Sequence, residues 1–474
     1  MPIHRRITAA CTLALASACA WPVAAADLYG ALATAYDSSA QINAQRAATR
    51  AADEAIAQAK SGYRPQVFAD VSFGFARSVN RQRVTVPGST FPVATPARTV
   101  RATTGTSTVP FTYGFTISQP LFTGFQTVNS VNQAEAQVRA SRSQLRSTVQ
   151  SVFTAVAQAY ADITLGQELI RVRQRNISFL NEQVRAANAR LEVGEGTRTD
   201  VAQSRASREL GRTQVALARS DLLTARAALQ QFVGRPIEAS GTPRIPRRLV
   251  PASLSSALNI AMSRHPDIRR AEHLVDAQVF AVKFAEGRLL PSLNANLVGT
   301  ESYDLGAADA RRTNLQGTLQ LRIPIYQGGA ASAQIRQAKE LLGQSRVQLD
   351  LARDQVAGQV RTSWALLQAA RSNLRATAVQ LSSARLALEG VIEERNVGQR
   401  TQLDVLQAQS SVLTAQEQRA TARRLEVVAA YNLIAATGRL SARALGLHVD
   451  YYDPKAHYAA TVDRWYGMRT PDKR

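Results

Sequence analysis

The stretch VGEGTRTDV at residues 193–201 decides how this chain folds, because a closely similar stretch, VGQRTQLDV, returns at residues 397–405. The two stretches lie 204 residues apart, and the same separation aligns many other positions. The aligned pairs include Pro120 with Pro324, Phe122 with Tyr326, Gly124 with Gly328, and Gly234 with Gly438. Since so many matches at one fixed separation indicate an internal repeat, we interpret the chain as two copies of one unit.

The first copy contains an insertion. Upstream of Pro65 the two copies align at a separation of 226 residues instead of 204, as for Leu28 and Leu254. The 22 extra residues (226 − 204) therefore lie between Pro65 and Pro120. That interval includes residues 77–109, which are rich in Thr, Ser, Pro, Gly and Arg, a composition typical of loops. We expect an enlarged, mobile and extracellular loop there.

Apolar residues recur every seven positions through most of each copy, with a single four-residue shift in the middle. In the first copy the series is Val131, Val138, Leu145 and Val152, then Val156, Ile163, Ile170, Ile177, Val184 and Leu191. Seven-residue spacing is that of coiled coils, and a four-residue shift is a stutter. The pattern predicts helices over 127–192 and 331–396, each about 100 Å long, and favours an elongated helical barrel over a compact core.

Shorter helices are predicted beside each long helix. Residues 28–60 and 201–233 each have about half the length of the long helix, so that two of them stacked end to end match it. Gly194 permits the left-handed backbone conformation that ends the long helix. Thr199 or Asp200 is then expected to cap the helix that follows.

Four short segments alternate apolar and polar residues with a period of two, at 66–75, 111–118, 292–297 and 315–323. Their lengths approach the roughly 9–11 residues of a tilted transmembrane strand with an apolar outer face and a polar lumen. A soluble antiparallel sheet with one wet face gives the same pattern, so the pattern alone leaves both interpretations open. Four strands cannot close in lipid, whereas three copies would pool 12 strands into one barrel.

The N-terminus has the features of a secretory signal peptide over residues 1–26. A basic segment and an apolar segment precede a small-residue cleavage site, Ala24-Ala25-Ala26. Both cysteines, Cys11 and Cys19, lie in the segment that we expect to be removed. The mature chain, starting near Asp27, would then hold no disulfide, no zinc thiolate and no cysteine for lipid attachment.

The composition argues against an enzyme and against a nucleic-acid-binding protein. The five histidines have no metal-site spacing, and neither a GxxxxGK[ST] phosphate loop nor a GxSxG motif occurs. We therefore expect no catalytic residues, no metal and no cofactor. The formal net charge is +22, from 57 Lys+Arg against 35 Asp+Glu, but the arginines are scattered along helices among Gln and Glu. Such scattering is typical of a solvated helix exterior.

Together these patterns predict a mainly α chain with a small β part. Prolines at the four junctions between helix and strand break both kinds of hydrogen-bonding pattern. The expected divisions are a signal peptide at 1–26, a first repeat at 27–250 with its hairpin at 65–120, a second repeat at 251–440 with its hairpin at 291–324 and its last helix at 405–437, and a C-terminal equatorial or tail segment at 441–474.

The repeat, the proline-bounded hairpins and the two VGxxTxxDV stretches resemble the TolC family of outer-membrane channel proteins over essentially the whole mature chain. Membership implies a homotrimer with a 12-stranded barrel in the Gram-negative outer membrane and a long periplasmic helical tunnel. It also implies a periplasmic membrane-fusion adaptor, an inner-membrane ABC transporter, an exported protein substrate and outer-membrane lipid as partners. Without a cysteine for lipid attachment, the mature chain resembles the type I secretion branch of the family more than the lipidated drug-efflux branch. The cargo of the secretion branch includes RTX-type toxins such as cyclolysin.

Two alternatives stand beside type I secretion. The outer-membrane factor of a multidrug efflux pump shares the channel and differs in its cargo, so the channel itself does not separate the two. A soluble periplasmic coiled-coil scaffold needs no lipid-facing strands, and the four alternating segments therefore favour a channel over a scaffold.

The resemblance also assigns functional residues to the two VGxxTxxDV stretches, residues 193–201 and 397–405, which we call the tips. Asp200 and Arg400 match a charged pair that links neighbouring tips, and Asp404 matches an acidic ring at the periplasmic gate. One turn later this chain has Gln407 where the family's prototype has a second aspartate, so one acidic ring is expected. Helix N-capping is an equally good role for Asp200. The implied adaptor-docking residues are Val193, Gly194, Thr197, Val397, Gly398 and Thr401.

Overall fold

The computed structural model of the chain describes residues 25–89, 92–304 and 309–471. Residues 1–24, which make up most of the expected signal peptide, lie outside the described residues. The elements of the first copy are, in chain order, β1 (Ala25–Ala26), α1 (Leu28–Ser38), α2 (Ala40–Lys60), β2 (Gln66–Phe73), β3 (Ala76–Val86), β4 (Arg98–Thr108), β5 (Phe111–Phe122), α3 (Gln126–Glu192), α4 (Arg198–Val233) and β6 (Glu238–Ala239).

The second copy repeats this order without the two extra strands, and the C-terminal segment adds two short helices. Its elements are α5 (Leu254–Arg264), α6 (Pro266–Glu286), β7 (Ser292–Tyr303), β8 (Arg311–Arg322), α7 (Ala330–Asn396), α8 (Gln402–Ala436), α9 (Ala442–Leu445) and α10 (Pro454–Thr461). The predicted fold class, mainly helical with a smaller sheet, is confirmed.

The two long helices, α3 and α7, contain 67 residues each. In α3 the seven-residue apolar series lies on the packed side, where Val138, Val152 and Ile163 are buried. Packing of the neighbouring helices against these two rods, rather than a closed core of their own, sets the elongated shape. Among the residues that the structure describes, none of the helices combines the length and hydropathy needed to cross a lipid bilayer.

The helix predicted over residues 28–60 is wrong in one respect, because the chain breaks at Ser39 into α1 and α2. Ser39 has φ −59° and ψ 123°, which lies outside the helical region. The second copy has the matching break at His265, where Pro266 opens the next helix. A proline favours an extended conformation in the residue before it, so the second break has a physical cause in the sequence.

The main packing centre lies where the first helix meets the middle of α3 and the C-terminal end of α8. Tyr160 and Tyr431 are both fully buried there. The Tyr160 hydroxyl donates to the carbonyl oxygens of Ser240 at 2.6 Å and Ala26 at 3.2 Å. Burial raises the pKa of Tyr160 from its ordinary value of 10.0 to about 12. Ala26 belongs to the expected cleavage site, yet here it pairs with Ala239.

Four strands form one antiparallel sheet in the order β2-β5-β7-β8. The register mostly aligns polar residues with polar residues, and apolar residues with apolar ones, across all four strands. One row on the polar face consists of Gln66, Ser118, Asn296 and Thr318, and the adjacent row on the opposite face consists of Val67, Ile117, Leu297 and Gly317. Leu315 and Leu319, on that second face, are 71% and 73% exposed. The sheet therefore presents an uncovered apolar face and a polar face.

The prediction of a loop over residues 77–109 is wrong, because the described part of this segment is largely a β-hairpin. Strands β3 and β4 pair from Ala76–Thr108 to Val86–Arg98. The interval is rich in Thr and Val, which favour extended strands, and the loop prediction weighed its Gly and Pro too heavily. Residues 90 and 91, near the end of this hairpin, are outside the described residues.

Candidate functional site

The two VGxxTxxDV stretches form the turns that join α3 to α4 and α7 to α8. Gly194 and Gly398 have φ of 80° and 83°, the left-handed conformation that a side chain disfavours. The amide of Glu195 donates to the Arg190 carbonyl at 2.9 Å, which closes the end of α3. Each turn leaves its valine, Val193 or Val397, 71% exposed. Each turn thus presents one apolar side chain on its surface.

Both tip aspartates cap helices within their own copy. The Asp200 carboxylate accepts from the Thr197 amide at 3.1 Å and hydroxyl at 2.7 Å, and the Asp200 amide donates to the Thr197 hydroxyl at 3.1 Å. This reciprocal arrangement is a capping box, so the N-cap is Thr197 rather than the predicted Thr199 or Asp200. The helix consequently begins at Arg198, three residues earlier than predicted.

The second copy repeats the capping box. Asp404 accepts from the Thr401 amide at 2.9 Å and from the Thr401 hydroxyl at 2.8 Å. These bonds stabilise the ionised carboxylate, the backbone bond most of all, and lower the pKa of Asp404 below its ordinary value. A carboxylate that stays ionised is the form that an acidic ring at a gate requires.

Arg400 has a partner within its own protomer. Its Nε donates to Glu394 Oε2 at 2.7 Å, across the turn that joins α7 to α8. This hydrogen bond, with the negative charge of Glu394, raises the pKa of Arg400. The pairing of Arg400 with Asp200 that the resemblance implies is a contact between neighbouring tips. Within one protomer, Arg400 instead pairs with Glu394, and the Asp200 carboxylate instead accepts from Thr197.

A buried polar cluster next to the tips joins α8 and the end of α7 to α3. Arg395 Nη1 donates to Gln183 Oε1 at 3.0 Å and to Gln402 Oε1 at 3.1 Å. Gln402 Nε2 donates to the same oxygen of Gln183 at 3.0 Å. Gln183 and Gln402 are only 8% and 9% exposed. Burial, together with the positive charge of Arg190, lowers the pKa of Arg395.

Three further polar pairs continue along the contact between α3 and α8. Gln409 Nε2 donates to Asn176 Oδ1 at 2.8 Å, and Arg173 Nε donates to Glu417 Oε1 at 2.6 Å. Farthest from the tips, Arg424 forms an ion pair with Asp162. We call these three pairs, together with the Arg395–Gln183–Gln402 cluster, the polar ladder.

Sequence reasoning missed the polar ladder, although the sequence carries a signal for it. On α8 the polar members Gln402, Gln409, Glu417 and Arg424 follow one another at separations of seven, eight and seven residues. That spacing places them on one helical face, as the apolar series does for Val and Leu. Four contacts of the ladder, those of Gln402 with Gln183, Gln409 with Asn176, Glu417 with Arg173 and Arg424 with Asp162, require α8 to lie against α3. Movement of α8 away from α3 would leave these groups without partners, so the ladder resists such movement.

The single chain leaves two kinds of surface uncovered. Among the residues that the structure describes, the edge strands of the sheet, β2 and β8, each pair on one side only. Apolar residues also point outward from α4 and α7, including Leu210, Leu217, Val379 and Leu386, which are 59–72% exposed. Seven residues separate the two members of each helix, which is the coiled-coil spacing. These residues form a second set of helical seams, which the described part of the protomer leaves uncovered.

Similar proteins point to one family. The family model described as outer membrane efflux protein matches residues 31–235 and 257–439. The outer membrane efflux protein BepC of Brucella suis biovar 1 is 42% identical, over 94% of this chain and 93% of BepC. The alkaline protease secretion protein AprF of Pseudomonas aeruginosa is 26% identical over 65% of each chain. The outer membrane protein TolC of Vibrio cholerae is 26% identical over 69% of this chain and 76% of its own length.

Solved structures agree on the fold. A crystal structure of CusC superposes with a TM-score of 0.73, covers 92% of this chain and 98% of that chain, and is 19% identical in sequence. The predicted resemblance to TolC-like channels is confirmed by these relatives, and so is the predicted location in the outer membrane. With two matched repeats that span the capped tips and the four-stranded sheet, the chain belongs to the outer membrane efflux protein family.

Proposed function

We propose that three copies of this outer-membrane channel protein assemble into one duct that passively conducts an exported protein from a type I secretion system. The observation that carries the proposal is the four-stranded sheet, whose apolar face is uncovered and whose edge strands β2 and β8 have, within the described ranges, no partner on one side. Open edges are not tolerated in lipid, so the strands of several protomers must join. Three protomers supply 12 strands, enough to enclose a pore.

The helical part supports the same assembly. The exposed leucines and valines of α4 and α7 repeat at coiled-coil spacing and would be covered by the helices of neighbouring protomers. The polar rows of the sheet, such as Gln66, Ser118, Asn296 and Thr318, would then line the lumen. A soluble scaffold has no use for this sheet, and the outer-membrane family membership argues against that alternative.

The tips form the proposed gate and docking surface. In the closed state the polar ladder holds α8 against α3 in each protomer, while Asp200 and Arg400 link neighbouring tips and Asp404 forms the acidic ring. The exposed Val193 and Val397, with Gly194, Thr197, Gly398 and Thr401, form the surface that a periplasmic adaptor contacts. Docking of the adaptor, with its inner-membrane ABC transporter, would supply the interactions that replace the ladder.

Secretion and efflux share this duct, and the relatives carry both names. AprF is named a secretion protein and BepC an efflux protein. The expected absence of a lipidation cysteine favours secretion. The multidrug efflux pump remains the second candidate, since BepC matches almost the whole chain at 42% identity.

Deletion of the gene, with two readouts, tests the function. If the protein serves secretion, the culture medium of the deletion strain lacks one or more exported proteins, and the wild-type gene restores them. If it serves efflux, the medium is unchanged and the strain becomes more sensitive to toxic small molecules. Chemical cross-linking of detergent-extracted outer membrane tests the assembly. We expect cross-linked species of up to three protomers, and monomers alone would contradict the proposal.

A further inference from the structure

The hairpin of β3 and β4 is a direct extension of the first two barrel strands. Phe73 pairs with Phe111 in the sheet, and Ala76 pairs with Thr108 in the hairpin, at an unchanged register. Between them the Gly74 amide donates to the Pro110 carbonyl at 3.1 Å. Because no residue is inserted or skipped, alternate side chains stay on the same side throughout.

This continuity sets the side that each arginine of the hairpin occupies. Odd-numbered residues of β2, from Val67 to Phe73, belong to the apolar face of the sheet. The odd-numbered positions continue in β3 as Arg77, Arg81 and Arg83, and Arg101 pairs directly with Arg83 from the neighbouring strand. We call Arg77, Arg81, Arg83 and Arg101 the arginine face. Its first member, Arg77, lies four residues beyond Phe73 of β2, and the other three lie farther along the hairpin on the same side.

The positive charge of the arginine face is not neutralised by the protein. The sequence contains no acidic residue between Asp70 and Glu135. All four side chains are exposed, and within the described parts of the chain none of the four forms an ion pair. The direct pairing of Arg83 with Arg101 places like charges opposite each other, which disfavours the hairpin unless an anion lies between them.

The other face of the same hairpin differs in character. Val84 pairs with Val100 there, and Val86 pairs with Arg98, the single arginine on that side among the described residues of β3 and β4. Four of the five arginines of the hairpin therefore share one face. A positive patch that served only solubility would not need this one-sided arrangement.

We propose that the arginine face binds the phosphate groups of lipopolysaccharide in the outer leaflet of the outer membrane. Guanidinium groups bind phosphate through two parallel hydrogen bonds, and arginine is preferred to lysine where this geometry matters. Lipopolysaccharide carries its phosphates at the boundary between the acyl chains and the sugar, which is the level directly beyond the apolar band. The inference rests on the outer-membrane location of the sheet and is independent of the cargo that the channel exports.

Binding of fluorescent deep-rough lipopolysaccharide to the purified full-length protein in a non-ionic detergent tests this proposal. We expect saturable binding that weakens as salt is raised and that is lost with enzymatically dephosphorylated lipopolysaccharide. The variant R81Q/R83Q/R101Q should bind about tenfold or more weakly, since each charge-assisted hydrogen bond contributes substantially. The variant R81K/R83K/R101K, which keeps the charge without the fork geometry, should fall between the two.

A control variant of equal charge separates this face from the general positive charge. R98Q/R346Q/R375Q removes one arginine from the opposite face of the hairpin and two exposed ones from α7, and should bind like the wild type. Equal weakening in both triple variants, or undiminished binding of the dephosphorylated lipid, would overturn the proposal. Stronger binding of an acidic protein or a single-stranded oligonucleotide than of lipopolysaccharide would also overturn it. If the triple variant does not assemble, R83Q against R98Q makes the same comparison.

Discussion

His457 on α10 lies against Asp53 on α2, with 3.2 Å between the imidazole Nδ1 and the carboxylate Oδ2. Asp53 is 1% exposed, and its other oxygen, Oδ1, accepts from Arg142 Nη2 of α3 at 3.3 Å. One buried carboxylate thus joins the C-terminal segment to the helices of the first copy. The Arg142 guanidinium also lies 5.3 Å from the ring centre of Tyr458, which adds a second contact to α10.

Replacing Asp53 should release the C-terminal segment. D53A leaves the half-buried Arg142 and His457 without their shared acceptor, and we expect a loss of about 2–3 kcal/mol in the contact that holds α10. Limited proteolysis of the purified protein should then cut within residues 453–469 faster than it does in the wild type. The control is D463A, which breaks the exposed pair between Asp463 and Lys60 at 2.8 Å. An equally fast cut in D463A would show that Asp53 is not the anchor.

Weakening the polar ladder should open the duct. Q183A removes the oxygen that Arg395 and Gln402 share, and each lost hydrogen bond lowers the stability of the closed state by about 0.5–1.5 kcal/mol. We expect Q183A/R395A to raise single-channel conductance in planar lipid bilayers. Q418A, an exposed change beside Glu417 of the ladder, should leave conductance at the wild-type value. A double variant with wild-type conductance would place the gate elsewhere.

The link between neighbouring tips has its own test. D200A/R400S removes both proposed partners of the link and should also raise conductance. An exposed charge pair contributes little, so the closed state is only slightly favoured and the loss of the link is enough to shift the channel toward its open state. Arg400 bonds to Glu394 within its own protomer, so E394Q serves as the control. That variant breaks the internal pair and leaves Arg400 free to reach a neighbouring tip. If E394Q raises conductance as much as the double variant, the internal pair is the relevant one.

The seven-residue spacing predicted the long helices because apolar side chains at that spacing lie along one helical face and are buried against neighbouring helices. The polar ladder escaped prediction because a glutamine such as Gln183 has the same appearance in a sequence whether it faces water or Gln402. The hairpin of β3 and β4 escaped because its Gly and Pro residues suggested a loop, although its Thr and Val residues favour strands. The N-cap was predicted at Thr199 or Asp200 instead of Thr197, because several adjacent residues of the tip have side chains that can cap a helix.

The acidic ring predicts a change of ion selectivity. D404A should weaken cation selectivity and cation block, because three carboxylates around a narrow pore favour cations despite the net positive charge of the chain. D200A is a matched control, since it removes the equivalent capping carboxylate from the first copy. Reversal potentials in a salt gradient measure the difference. Equal loss of selectivity in both variants would assign the effect to helix capping and not to a ring at Asp404.

The capping box at Asp404 predicts how this selectivity depends on pH. Hydrogen bonds from the Thr401 amide and hydroxyl lower the pKa of Asp404 below the ordinary value of 3.8. A carboxyl group with a lowered pKa contributes stability above its unfolded-state pKa, and the contribution is lost as the pH falls through the folded-state pKa. The wild-type channel should therefore keep its cation selectivity to a pH below 3.8.

The variant T401V keeps the amide bond to Asp404 and removes the hydroxyl bond, so the pKa of Asp404 should rise toward its ordinary value. Cation selectivity of T401V should then disappear at a higher pH than in the wild type, as measured by reversal potentials over an acid titration. T197V makes the same change in the first copy, next to Asp200, and should leave the titration curve where it is. Identical curves for T401V and the wild type would show that the Thr401 hydroxyl does not keep the carboxylate charged. A shift in T197V of the same size would assign the titration to Asp200 instead.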